Sequence, residues 1–395
     1  MTEEIFAQAL KMQEQLVDWR RTIHVHPELG LQEHRTSSLV FKTLEKAGIE
    51  AQRGASETGV VGLIEGAGDK TIALRADMDA LPIQEETGVS YQSQAPGVMH
   101  ACGHDGHTAM LLGSALILKR LGSRLKGKVK LIFQPAEEQS FIGRGGARQM
   151  VAEGVLGSPL VSSIAALHLD PDLPAGIVGI RDGTLMASST TFEIRIRGQA
   201  GHGGRPHKGV DAIYLAAHVI LTLQGVVARE TDALDPKIIT VGEIRGGTSP
   251  NIIAAEVLLR GTIRTLSSEM REKVQRAVSD RSRDIARALG GDTISSFQYL
   301  YPALVNNRVL ADMVRKVCAQ CPAVDRIEEL ATPNLGGDDF AFYSERVPGV
   351  MFRLGCSIGK KTTLHSATFD FDEKVLPIGT ALLAGLAVKL LEDQS

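Results

Sequence analysis

At 395 residues the chain is too long for one ordinary core, so two domains are expected. Hydrophobic residues make up 43% and charged residues 23%, the balance of a soluble globular protein. A net charge of −3, no Lys/Arg block and only 4% aromatic residues argue against nucleic acid, base-stacking platforms and an anionic membrane as partners.

The opening Met1-Thr2-Glu3-Glu4-Ile5 is acidic and lacks the basic-then-apolar pattern of a secretory signal. The longest apolar run, near residues 381–391, contains Lys389 and reads as too short to span a bilayer. A cytoplasmic location is therefore expected. Cys102, Cys318, Cys321 and Cys356 give no disulfide framework and are expected to be thiols.

Residues 5–25 read as an amphipathic helix, followed by a loop punctuated by Pro27 and Gly30 and a helix over 35–47. His24-x-His26 has the spacing of a metal pair, although a polar loop packed beside a site is the better account. Apolar strands are expected at 60–64 and 71–76, the second running into Asp77-Met78-Asp79 before Pro82. Met99-His100-Ala101-Cys102-Gly103-His104-Asp105-Gly106-His107 precedes a helix over 108–118. A strand at 128–133 ends in Gln134-Pro135-Ala136-Glu137-Glu138. Gly143-Arg144-Gly145-Gly146 opens a helix through Glu153, which ordinary loop geometry explains without a phosphate. The strand at 163–167 ends in His168.

From about Ala187 the pattern alternates with period two, and strand-helix-strand-strand-helix-strand follows to about residue 301. That order is the ferredoxin-like split pattern. The expected organisation is the first part of one domain over 1–186, an inserted α+β domain over 187–301 and a return to the first domain over 302–395. The returning part carries Cys318-x-x-Cys321, read as structural, then Gly337-Asp338-Asp339-Phe340 opening a helix. A strand at 350–354, His365 in the loop beyond and a final amphipathic helix over 375–391 complete it. The fold class is α/β, a mixed-sheet domain with an inserted ferredoxin-like α+β domain.

Strand after strand ends in polar groups able to bind a metal: Asp77 and Asp79, Cys102 and His104, Glu137 and Glu138, His168, and His365 beyond the last strand. In open α/β sheets, ligands collect at the carboxyl ends of strands. In extended chain Cys102 and His104 point the same way and reach one ion together, whereas Glu137 and Glu138 diverge. One glutamate is then free to ligate while the other faces substrate, an arrangement suited to activating water. A mixed Cys/His/Glu set without Cys-x-x-Cys pairs at the site favours catalysis over a closed structural zinc. Singly, His168 or His365 is an ordinary polar residue beside a strand; together with the Cys102 segment they describe a metal site.

The chain resembles the M20 peptidase family, in the branch of aminoacylases, hippurate hydrolases and indole-acetyl-amino-acid hydrolases. The resemblance rests on Arg20-Arg21 with His24, His26-Pro27-Glu28 and Gly30, Arg75 through Pro82, His100 through Asp105, Gln134 through Glu138, His168, Gly201-His202, and Gly337 through Phe340. These span essentially the whole chain in order. The resemblance implies metal ligands at Cys102, His104, Glu138, His168 and His365, and a general base at Glu137. It implies Asp79 as a residue orienting a ligand histidine. His202 would be an oxyanion donor reaching the active site of a partner subunit, with Asn251 and Arg264 holding the substrate. It implies a mixed-sheet metallohydrolase catalytic domain with the insert as a lid or dimerisation domain, a divalent transition metal, two ions per subunit of Zn, Mn, Ni or Co, and a homodimer or dimer-based homo-oligomer acting on a small N-acyl amino acid. Other branches carry a histidine where Asp77 stands and bridge two metals with an aspartate; Cys102 replaces that pattern here. The rival readings are a dipeptidase or carboxypeptidase of the same family and a non-catalytic metal-binding dimer.

Overall fold

The computed structural model describes residues 2–359 and 362–392. It forms two compact units, one of Met1–Leu185, Val305–Thr332 and Asp338–Ser395, the other of Met186–Leu304 with Pro333–Gly337. The short return segment 333–337 carries no signal in the sequence that would assign it to the second unit.

In chain order the first unit begins with α1 (Thr2–Lys11), α2 (Gln13–Val25), α3 (His34–Lys46), β1 (Glu50–Ala55), β2 (Gly59–Ile64) and β3 (Thr71–Asp77). It continues with α4 (His104–Leu121), β4 (Lys128–Gln134), α5 (Gly146–Ala152), β5 (Val161–Pro174) and β6 (Ile177–Ile180). The second unit holds β7 (Ser188–Arg197), α6 (Ala212–Arg229), β8 (Lys237–Gly246), β9 (Glu256–Thr265), α7 (Ser268–Ala288) and β10 (Asp292–Tyr301). The chain then returns through α8 (Arg308–Ala319), β11 (Arg326–Glu329), α9 (Ala341–Ser344), β12 (Gly349–Ser357) and α10 (Val375–Glu392).

The first unit is built on an eight-stranded sheet in the order β1-β2-β4-β3-β5-β12-β6-β11. Its centre, β4-β3-β5-β12, is parallel. Antiparallel β2 and β1 flank one side, and β6 pairs antiparallel with β12 on the other. Every residue of β3 is buried, as expected of a parallel strand covered on both faces. β1, Glu-Ala-Gln-Arg-Gly-Ala, has no apolar signature because it is a largely exposed edge strand, and sequence pattern misses it. The first expected helix divides at Met12 into α1 and α2.

The expected amphipathic C-terminal helix is instead interior. All residues of α10 are buried except Lys389 and Glu392. A helix apolar on every side belongs inside a core. By length and composition α6 and α10, at 18 residues each, are both apolar enough to cross a membrane, which corrects the shorter apolar run read from sequence. In the fold α10 packs against α4, α1 and α8.

The second unit is a four-stranded antiparallel sheet in the order β8-β9-β7-β10. With the two helices this is the ferredoxin-like arrangement. Phe192, Ile194 and Ile196 of β7 form a core with Leu215, Val219 and Leu223 of α6 and Val274 and Val278 of α7. Both helices start on side-chain caps: Asp211 accepts from Ile213 N and Ser267 from Met270 N.

Candidate metal centre and catalytic site

The Cys102 segment is not extended. Gly103 has φ +83° and sits at the N-cap of α4, whose first residue is His104 rather than Thr108. The left-handed turn, which glycine adopts without steric cost, brings Cys102 and His104 together in place of the assumed i, i+2 alternation. A Cβ at Gly103 would also press on Leu169 at 3.0 Å.

Glu137 and Glu138 likewise lie in a tight turn. Ala136 has φ +53°, and its N–H donates to Glu33 at 2.8 Å. The next two N–H groups both donate to one carboxylate: Glu137 N to Asp79 Oδ1 at 3.0 Å, and Glu138 N to Asp79 Oδ2 at 2.9 Å. Gly30 permits the turn to approach, since a Cβ there would meet Ala136 at 2.9 Å. Asp79 also touches a histidine: its main-chain carbonyl accepts from His104 Nδ1 at 2.9 Å, with Oδ1 at 3.3 Å. Glu33 has no signal in the sequence, because its partner is a main-chain N–H more than a hundred residues away.

The first unit gathers Cys102, His104, Glu137, Glu138, His168 and His365 in one place. Cys102 Sγ lies 3.6 Å from His168 Nε2, and Glu138 Oε1 lies 3.9 Å from His104 Nε2 and 3.2 Å from His365 Nε2. Donor atoms of Cys102, His104 and His168 lie within 4.8 Å of one another, as do those of Cys102, Glu138 and His365 and those of His104, Glu137 and Glu138. His104 Nε2 and Glu138 Oε1 are buried without hydrogen-bond partners. Two such atoms on facing side chains are costly unless something joins them.

The imidazoles are presented for ligation. His168 Nδ1 donates to Leu169 O at 2.7 Å, as His104 Nδ1 does to Asp79 O, leaving each Nε2 lone pair toward the cluster. A divalent cation therefore fits: buried thiol, imidazole and carboxylate donors converge, and two atoms there lack partners.

Three other buried histidines are accounted for differently. His107 bridges Asp77 Oδ1 at 2.6 Å and Leu169 N at 2.9 Å, so both its nitrogens are spent. His24 lies between Asp105 at 2.8 Å and Glu85 at 3.3 Å, again with neither nitrogen available. Asp105 in turn accepts from buried Arg20 at 2.8 Å, so it anchors α2 to the start of α4. His100 is buried with both nitrogens unpaired, and burial pushes it down to about 3, leaving it neutral.

Electrostatics divide the cluster. Burial favours neutral His104, but Asp77 and Cys102 outweigh it and hold the imidazole well above its ordinary value. Burial, then Arg353, holds His168 well below. Burial and Glu138 raise the Cys102 thiol. The neighbouring Cys102 and Glu138 raise half-exposed His365 to about 10. Burial, then Asp338, Glu138 and Asp339, push Glu137 well above the carboxylate range. Glu138 is lowered, because His365 and His104 outweigh its burial. Glu137 shares its pocket with buried Arg75, whose guanidinium meets Asp77 at 2.5 Å, Asp339 at 3.1 Å and Asp338 at 3.4 Å. Two adjacent glutamates thus differ in character: Glu138 is an anion facing imidazoles, and Glu137 is a carboxyl that readily holds a proton.

The second unit carries the other three expected residues. His202 is exposed on a two-residue strand, Gly201–His202, paired with Ile252–Ile253. Its Nδ1 accepts from Gly204 N at 3.0 Å, which leaves Nε2–H outward in the neutral ring. Asn251 lies beside it, with its carbonyl accepting from Gly203 N at 2.9 Å and its side chain from Ser249 at 2.6 Å. Arg264 on β9 donates to the Tyr301 hydroxyl at 2.6 Å.

Fold and donor set together define a metal-dependent hydrolase. The profile of Peptidase family M20/M25/M40 matches residues 73–389, and the chain belongs to this family. N-acetylcysteine deacetylase of Bacillus subtilis is 38% identical, over 95% of this chain and 97% of its own. Thermostable carboxypeptidase 1 of Saccharolobus solfataricus is 38% identical over 98% of each chain. The solved structure of the Bacillus subtilis YXEP protein, described as a dinuclear metal binding peptidase from the M20 family, aligns with a TM-score of 0.86 and 34% identity. That alignment covers 97% of this chain and 99% of the other.

Proposed function

We propose that the chain hydrolyses the amide bond of N-acyl amino acids, releasing a carboxylic acid and a free amino acid. The observation that carries this reading is Glu137, a buried carboxyl with a raised proton affinity, placed within the convergent donor cluster next to Glu138 and His104. Cys102, His104, Glu138, His168 and His365 are the proposed ligands. Cys102 lies in the donor set of His104 and His168 and in that of Glu138 and His365, so it would be a ligand at either. Divalent ions, of Zn, Mn, Ni or Co, supply a polarised scissile carbonyl and an acidified water when bound.

Glu137 takes the proton from the attacking water and delivers it to the leaving nitrogen. Its environment suits both halves, because burial and three neighbouring carboxylates favour the protonated state between the two transfers. Asp79 holds the turn that separates Glu137 from Glu138 and fixes the His104 tautomer. His202 Nε2–H supplies a donor to the oxyanion, from the partner subunit of a homodimer built through the 187–301 domain, which also serves as a lid. Arg264 receives the substrate carboxylate, with Asn251 also holding the substrate. The work is done in the cytoplasm on small molecules.

The similarity to N-acetylcysteine deacetylase supports an N-acyl amino acid, and that to a carboxypeptidase keeps a peptide substrate as the competing outcome. A panel of N-acetyl and N-benzoyl amino acids and free dipeptides, each assayed with several divalent metals, decides between them. Turnover of dipeptides alone would overturn the proposed substrate class.

A further inference from the structure

Arg264 and Tyr301 are not neighbours in sequence or on adjacent strands. In the sheet order β9-β7-β10, Arg264 lies opposite Ser189 on one side and Tyr301 lies opposite Ser189 on the other. Directly opposed residues share a face, so the three form one row across the sheet. Two strand spacings, about 10 Å, separate the outer pair. Only long side chains reach across, and only a small central residue lets them meet. Ser189 is that residue, fully buried, with its Oγ unpaired among the described residues.

Tyr301 reaches this face because of a bulge. Tyr299 opposes Thr190 and Tyr301 opposes Ser189, leaving Leu300 as an extra residue. Strict alternation would put Tyr301 beside Tyr299, on the helix face where Arg271 of α7 stacks 4.0 Å from the Tyr299 ring. The bulge turns Tyr301 to the opposite face, where its hydroxyl accepts from Arg264 Nη1 at 2.6 Å. Gly337 closes over the ring, since a Cβ there would stand 1.9 Å from a ring carbon. Tyr301 is thus 5% exposed and pinned. Among the described residues, no carboxylate lies within ion-pair distance of Arg264.

We infer that Tyr301 is a positioning residue for recognition of the substrate carboxylate: by holding Arg264 Nη1 it leaves the Nε–H and Nη2–H pair as a preset fork for a bidentate carboxylate. The inference rests on the proposed role of Arg264. Without the Tyr301 hydroxyl the guanidinium still carries its charge, but binding must order a long flexible side chain.

The test uses the N-acyl amino acid of the panel that is turned over fastest, together with its carboxamide, which lacks the carboxylate. The readout is the ratio of their kcat/KM values. Tyr301→Phe keeps the ring against Gly337 and should lower the ratio three- to tenfold through KM of the carboxylate substrate, with its kcat within twofold. Arg264→Ala should lower the ratio further, and adding Tyr301→Phe to it should change nothing more. A drop with Arg264→Ala but none with Tyr301→Phe, or additive losses in the double variant, would overturn the role of Tyr301 alone. An unchanged ratio in Arg264→Ala, or no turnover of any N-acyl amino acid, would overturn the carboxylate reading and the inference with it.

Discussion

In the first unit the Asp79 carboxylate accepts two main-chain N–H groups, its carbonyl accepts a histidine N–H, and Glu33 holds the residue before the Glu137–Glu138 turn. In the second unit His202 is exposed and tied by one side-chain hydrogen bond, and Arg264 is tied by one hydroxyl. The same chain therefore carries an over-determined pocket and, in the second unit, a sparsely determined set of groups proposed to meet the substrate. Groups that hold ions and move protons lose function with small displacements, so they are fixed from several directions before substrate arrives. Groups that grip a variable ligand can complete their shells with the ligand itself. The difference teaches where a substitution should abolish chemistry and where it should only retune binding.

The comparison is broken most severely at Glu137. Glu137→Gln keeps size and loses the exchangeable proton, so kcat should fall by about a thousandfold or more, within the range for general acid–base catalysis. Metal content, measured by mass spectrometry on the same preparation, should stay at the native level. Activity near native would remove Glu137 from the mechanism. Next in size is His202→Ala, expected to lower kcat about a hundredfold, as for loss of an oxyanion donor, with metal content intact. Mixed dimers of His202→Ala and Glu137→Gln subunits should regain part of the activity if His202 of the partner subunit completes each site. Verified mixed dimers that stay inactive would place its action within its own subunit.

How far the sequence carries this contrast depends on the kind of structure involved. The second unit is legible because each half-buried strand alternates and each helix begins on Asp211 or Ser267, so local pattern and tertiary burial agree. The donor residues of the first unit are legible as types near strand ends, but their geometry is not. Gly103 and Ala136 take left-handed conformations that overturn the extended-chain argument for both Cys102–His104 and Glu137–Glu138. His168 lies within β5, which runs on to Pro174, because β12 continues to pair with it after its pairing with β3 stops at Ala166. The contacts of Glu33 and the 333–337 segment depend on chain that is distant in sequence, and α10 gives no period because it has no exposed face.

Asp79 sharpens the comparison at a smaller scale. Asp79→Asn retains an acceptor oxygen but places an NH2 group against one of the two N–H donors it now serves. The Glu137–Glu138 turn should loosen, weakening metal affinity by about 10–100-fold, the usual cost of a lost outer partner. Competition against a chelator measures this, and unchanged affinity would mean that the main-chain carbonyl alone orients His104.

The mildest perturbation is pH. In the metal-free protein burial raises the Cys102 thiol, Asp77 raises His104 against its burial, and the Cys102 and Glu138 neighbours raise His365 to about 10. All three must surrender protons to become ligands. Each raised group therefore opposes the ion at neutral pH and stops opposing it as pH climbs toward its raised value. Affinity for Zn or Mn should rise with pH between 6 and 8, by about tenfold per pH unit for each proton displaced. Calorimetry in buffers of different ionisation enthalpy counts those protons directly. A value near zero would mean that the donors are already deprotonated without the ion, and the first unit would then be preset in charge as well as in shape.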